Sequence, residues 1–150
     1  VGVAGNHDRG DSNRNIDTKG EIAEVIFYFI QRMYGNTLTV EFESDVLSKD
    51  YDGFQYIFTH GHSGHSSKSR EGKDLVLQYG DNSKYNIIIT GHWHSRDIPH
   101  DSSIFRWIIC PSIFGGNDYS NRLGFWTNPG YVMMYRKGSD GSIRVIDDSF

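Results

Sequence analysis

The chain reads as a mixed α/β fold in one domain, and three observations point there. Three short apolar or β-branched runs, Val1-Gly2-Val3-Ala4, Tyr56-Ile57-Phe58-Thr59 and Ile87-Ile88-Ile89-Thr90, have the composition of buried strands. Ile22, Val25, Ile26, Phe29, Ile30 and Met33 recur at the three- and four-residue steps of an amphipathic helix. The middle of the chain then runs strand, helix, strand, the order of a crossover in a parallel or mixed sheet.

Taken in order, the first run is followed by a polar, turn-rich loop from Gly5 to Asn15. Asp17 or Thr18 can cap the helix that follows, Glu21 sits in its first turn, and Gly35-Asn36 closes it. Phe27 and Tyr28 widen the apolar stripe, so this helix is expected to pack broadly against a sheet. Thr37 to Glu43 alternates as a strand with Leu38, Val40 and Phe42 on one face. Asp52-Gly53 is a hairpin turn signal ahead of the strand Phe54 to Thr59. A hydroxyl-rich loop spans Ser63 to Ser69, and a second helix runs from Arg70 through Tyr79 to stop at Gly80. Beyond the third run, Ile98-Pro99 ends a short piece and Ser103 to Cys110 reads as a strand. Phe105, Trp107 and Ile109 alternate on it as core residues. Pro111 to Pro129 is a long loop, and Val132–Tyr135 with Ile143–Ile146 flanks a Gly-rich turn as an antiparallel hairpin.

Length and charge narrow the function. At 150 residues the chain can bury an ordinary core. A formal charge of −4 argues against a globally basic nucleic-acid binder, although bound divalent ions can invert a local potential. The single cysteine, Cys110, excludes an intrachain disulfide and reads as a small buried hydrophobe. No membrane-length apolar run and no signal peptide are visible, so the expectation is a protein outside the membrane, in the cytoplasm. The opening Val1 lies inside what reads as a core strand, which suggests processing or an upstream portion.

Five of the seven histidines gather at the ends of the three runs: His7, His60, His62, His92 and His94. Alone, each would be a surface or hydrogen-bonding residue. Three clusters that each follow an apolar strand and a glycine-containing turn form a different pattern. Neutral imidazole ligates borderline metals, Asn6 and Asp8 add oxygen donors beside His7, and a buried strand holds such donors still. Strand ends from distant parts of the chain can thus build one metal site. Arg9, Arg14, Lys68 and Arg70 flank these corners and can meet a phosphate, though each also reads as a solvated surface cation. Tyr119, Arg122 and Trp126 in the late loop could stack a nucleotide base or simply seal a sheet edge.

Gly5-Asn6-His7-Asp8, His60 after its strand, and Gly91-His92-Trp93-His94 together resemble the last three signature motifs of the calcineurin-like metallophosphoesterase superfamily. The resemblance covers roughly Val1 to His94. It implies an α/β fold that is part of a four-layer αββα sandwich with mixed sheets. It also implies two divalent ions (Mn, Fe, Zn or Ni) bridged by an aspartate and a water-derived hydroxide. Asn6, His60 and His92 would hold one ion and His94 would contribute to the other. His7 would face the phosphoryl oxygen or leaving group, Asp8 would orient the His7 ring, and His62 would lie behind the ligands or near substrate.

The implied activity is hydrolysis of a phosphomonoester or phosphodiester, with a nucleotide or nucleic acid among the candidate substrates. A nuclease of the same superfamily and a non-catalytic metal-binding module are the alternatives. Two further motifs, Asp-x-His and Gly-Asp-x-x-Asp, should precede Asn6. Gly10-Asp11 and Gly80-Asp81 lack their surroundings. The expectation is therefore that residues 1–150 are the C-terminal part of a single domain, with the bridging aspartate supplied by an N-terminal segment that pairs with them.

Overall fold

The structure, a computed structural model, describes residues 1–6, 8, 21–61, 68–113, 115–116, 118, 122, 124, 128–136 and 143–149. Of residues 68–70, 136, 143 and 147–149 it describes the backbone only. The described elements are β1 (Gly2–Val3), α1 (Glu21–Tyr34), β2 (Phe42–Glu43), β3 (Val46–Tyr51), β4 (Phe54–Thr59), α2 (Lys68–Tyr79), β5 (Tyr85–Thr90), β6 (Asp97–Asp101), β7 (Phe105–Ile109), β8 (Gly130–Arg136) and β9 (Ile143–Ser149). The mixed α/β class is as expected.

A five-stranded mixed sheet, in the order β3-β4-β5-β7-β6, forms the centre. Strands β4, β5 and β7 run parallel, and β3 and β6 are antiparallel edges. The run Asn86-Ile87-Ile88 is buried residue after residue, because a central parallel strand is covered on both faces. Ile57, Ile88, Phe105, Trp107 and Ile109 pack with Leu75 and Val76 of α2 into the principal core. Gly72 lets α2 settle there, since a Cβ at that position would stand 3.0 Å from the Trp107 ring and 3.3 Å from Phe105. The indole Nε1–H of Trp107 donates to Thr90 Oγ1 at 3.0 Å, which satisfies a buried donor. The return from α2 to β5 is pinned by Asn86. Its Nδ2 donates to the Asp81 and Lys84 carbonyls, both at 3.0 Å, and its Oδ1 accepts from Asp81 N at 2.9 Å.

Two smaller sheets complete the fold, β1 with β2 in parallel and β8 with β9 antiparallel. Helix α1 lies against the first. The Phe27 ring presses on Gly2, where a Cβ would be 2.0 Å from it, and stacks on Phe42 at a centroid distance of 5.2 Å.

Three local readings differ from the structure. Of the expected strand Thr37 to Glu43 only Phe42–Glu43 is one, and Leu38 is exposed, because β1 supplies a partner for just two residues. Residues 46–51 form a strand that the Asp52-Gly53 signal should have revealed. Both turn residues have positive φ, 51° and 82°, as the right-handed twist of a two-residue hairpin requires. Pro99 ends nothing. It sits within the edge strand β6, where the register shifts between Asp97 and His100 and no inward N–H is needed. The expected helix caps Asp17 and Thr18 lie outside the described residues.

Candidate metal centre

Parallel pairing places Thr59 beside Thr90, so the residues leaving β4 and β5 emerge side by side. His60 follows the first strand and Gly91-His92 the second. The chain leaving β1 reaches the same place through Ala4, which is buried, and Gly5. His60 lies between the two glycines. A Cβ on Gly5 would be 3.3 Å from its ring carbon Cε1, and one on Gly91 would be 3.8 Å from its Nδ1. The third corner glycine, Gly61, has φ of +91° and lies beneath Trp93, whose ring a Cβ would meet at 2.6 Å. Trp93 in turn lies against Trp107 of the core and against the His92 ring, at centroid distances of 5.9 and 5.6 Å. The centre is thus braced from below by the sheet.

His60 Nε2 lies 2.8 Å from Asn6 Oδ1 and 3.2 Å from His92 Nδ1. Three donor atoms from three strand ends therefore converge, as the sequence led us to expect for Asn6, His60 and His92. Only one of these atoms, Asn6 Oδ1, is an obligate acceptor, and a single proton on one ring nitrogen is all that can lie between them. A cation suits such a set better. Ligand atoms about 2.1 Å from one ion sit about 3.4 Å from one another in a tetrahedral arrangement and about 3.0 Å in an octahedral one. The observed separations and the nitrogen–oxygen chemistry both fit a divalent ion of the zinc or manganese kind.

His92 and His94 both hold left-handed backbone, with φ of 64° and 51°. Such conformations in non-glycine residues collect at functional corners. His94 is exposed, and among the described residues no three His, Cys, Asp or Glu side chains come together as a metal-holding group.

Asp8 accepts from the Ala23 backbone N–H through Oδ1 at 3.0 Å and Oδ2 at 3.2 Å, which caps the first turn of α1. A carboxylate has lone pairs to spare for a second partner, so this contact is compatible with orienting an imidazole. His7, Arg9, Arg14 and His62 lie outside the described residues, as do the side chains of Lys68 and Arg70, and Tyr119 and Trp126 in the late loop. Arg122 is exposed. His100 lies away from the corners, stacked on Phe105 at 4.1 Å. Sequence reasoning passed over the buried Glu71, Trp93 and the bracing role of Gly61. The aromatic between His92 and His94 was the available signal for Trp93.

No protein-family model matches the sequence, and no curated protein does. Solved structures do match. The chain has the fold of Vps29. It superposes on wild-type Vps29 from Entamoeba histolytica complexed with Zn²⁺ with a TM-score of 0.53 at 16% identity, covering 81% of this chain and 74% of that one. A single mutant of the same protein gives 0.51 at 17% identity, covering 76% and 65%. A double mutant gives 0.50 at 18% identity, covering 71% of this chain and 61% of that one. The chain thus spans less than two thirds of the length of the two Vps29 mutants. The Vps29 fold is a calcineurin-like metallophosphoesterase fold, so the architecture agrees with what the corner motifs imply. No helix among the described residues is long and apolar enough to cross a membrane.

Proposed function

We propose that this chain is the histidine-bearing part of a calcineurin-like metallophosphoesterase domain that hydrolyses a phosphomonoester or phosphodiester with metal-activated water. The observation that carries this reading is the convergence of Asn6 Oδ1, His60 Nε2 and His92 Nδ1 within 2.8 and 3.2 Å at three strand ends. These residues would hold one divalent ion, and His94 would hold the second together with an aspartate and a histidine contributed from outside residues 1–150. Bound there, the ions would acidify water and offset the charge of the phosphoryl oxygens. His7 would donate a proton to the leaving group, a contribution on the order of 10²–10⁴ in rate. Asp8 would keep the His7 ring in register while tied to α1. The zinc complex of Vps29 supports divalent-ion binding on this fold.

The test separates binding from chemistry in the protein expressed from its own gene. Metal content is measured by mass spectrometry, and turnover with aryl phosphate mono- and diesters in Mn²⁺ or Zn²⁺. Asn6→Ala and His92→Ala should lose both metal and turnover, whereas His7→Ala should lose turnover on the order of 100-fold and keep its metal. Equal metal loss in His7→Ala would remove its assigned role. Metal binding without turnover on any ester would favour the second reading, a non-catalytic metal-binding module.

A further inference from the structure

Helix α1 covers β1 and β2 with one side and walls a concavity with the next. At 3.6 residues per turn, Ala23, Phe27 and Ile30 make the covered side, and these are the partly buried positions of the helix. Glu24, Tyr28 and Gln31 turn to one flank of that side, and Ile22, Ile26 and Met33 to the other. The Glu24 flank borders a groove of about 650 Å³, closed on its other sides by residues 40–43 and by Leu47, Ser48 and Lys49 of β3. Sites for small organic molecules occupy roughly 300–1,000 Å³ and combine an apolar lining with a few convergent polar groups. This groove has both.

Its aromatic part is preformed. Phe27 is fixed against Gly2 and stacked on Phe42 at a centroid distance of 5.2 Å, so the two rings present a standing apolar surface. Tyr28 stands beside them, 57% exposed. The charges are distributed unevenly. Glu24, Glu41 and Glu43 face the groove against a single cation, Lys49, three negative charges against one positive, for a net −2. Lys49 Nζ donates to Glu41 Oε1, and those two charges offset one another. The excess therefore belongs to Glu24 on α1 and Glu43 on β2, carboxylates brought to one groove by two different elements.

This lining discriminates between ligand classes. An anion meets repulsion, and the lysine it would need is committed to Glu41, so a phosphoester finds nothing here to hold it. A hard metal ion asks for oxygen donors on most sides, and Phe27, Phe42 and Leu47 supply none. An ammonium or guanidinium group on an apolar body uses the whole lining. Its charge is drawn to the carboxylates and to aromatic faces, and its body covers the stacked rings.

We propose that the groove between α1, β2 and β3 is a binding site for a small organic cation, an amine or guanidine whose charge is met by Glu24 and Glu43 and whose apolar body lies on Phe27 and Phe42. The site goes beyond the hydrolase reading and does not depend on it, since none of the donors Asn6, His60 and His92 lines the groove.

The experiment titrates the protein expressed from its own gene with 2-phenylethylamine, and in parallel with 2-phenylethanol, its uncharged match in shape. Backbone amide NMR reads both. The amine should shift the amides of Tyr28, Phe42 and Glu43 saturably, with the alcohol on the order of tenfold weaker. The double variant Glu24→Gln, Glu43→Gln, changed at exposed positions, should bring the amine down to the affinity of the alcohol and leave the alcohol unchanged. Raising the salt concentration should weaken the amine alone. Equal binding of amine and alcohol to the wild-type protein would overturn the proposal, as would shifts confined to Asn6, His60 and His92 or no saturable shift at all. A lysine-bearing peptide that saturates these amides where the free amine does not would also overturn it, assigning the groove to a protein partner. Metal content and ester turnover are separate readouts, so failure of the hydrolase reading leaves this test standing.

Discussion

Gly53 and Gly61 both hold positive φ, yet they should answer differently to the same added methyl group. Nothing lies within 4 Å of a Cβ at Gly53, so Gly53→Ala should cost only backbone strain, about 1 kcal/mol. At Gly61 the methyl would meet the Trp93 ring at 2.6 Å, and Gly61→Ala should cost about 2–4 kcal/mol by thermal unfolding. Because Trp93 lies against His92, Gly61→Ala should also weaken metal retention, which Gly53→Ala should leave unchanged. Trp107→Phe tests the other end of that brace. It keeps most of the buried volume but strands the Thr90 hydroxyl, so a loss of about 1–3 kcal/mol is expected. The convergence of Asn6, His60 and His92 was legible because strand ends and glycine corners leave a local mark. Gly5 and Gly61 as cradles were not. Which ring lies over a glycine is decided by chain segments far away in sequence.

At the scale of elements, capping and edge contacts make separable contributions. Asp8→Ala removes the acceptor for Ala23 N–H and should cost about 0.5–2 kcal/mol, with Asp8→Asn recovering much of it, read as denaturation midpoints. Between β6 and β7, the Arg106 guanidinium beside Asp101 holds its carboxyl below the ordinary value of 3.8, with Nη2 2.6 Å from Oδ2. The folded-state pKa is depressed, so this pair stabilises the fold above the ordinary carboxylate range. That stability is lost as pH falls through the lowered value. The difference in midpoint between wild type and Asp101→Asn should therefore be present at pH 6 and shrink once acid takes the solution below the ordinary carboxylate value of 3.8. Helix α1 was legible from its spacing, but not the division of its apolar surface. Periodicity locates apolar residues, and only the width of β1–β2 decides that Ala23, Phe27 and Ile30 are the ones covered. Strand β6 escaped detection because Pro99 is a breaker everywhere except on such an edge.

For the molecule as a whole, the central sheet is self-sufficient and the outer layers are not. Strands β5 and β7 bury residues on both faces, whereas β8 and β9 form a two-stranded ribbon with Tyr131, Met133 and Tyr135 exposed along one face. Isolated ribbons of that kind are marginal in water. The amides of β8 and β9 should exchange well before those of β5, and native-state exchange checks this order.

The span of chain between the three donor atoms has a further consequence. Asn6 and His60 are separated by 54 positions and His60 and His92 by 32. Each contact closes a long loop whose entropy is recovered only once the central sheet exists. The donor cluster is therefore a late product of folding, and an unfolded chain offers an ion nothing comparable. Mass action then ties the two equilibria together: saturating Zn²⁺ at about 100 times its dissociation constant should add about 2.7 kcal/mol to unfolding. Chelation should remove that increment, and His60→Ala should abolish it. Loss of fold would thus become loss of metal, and a metal-sensitive dye would report unfolding in real time.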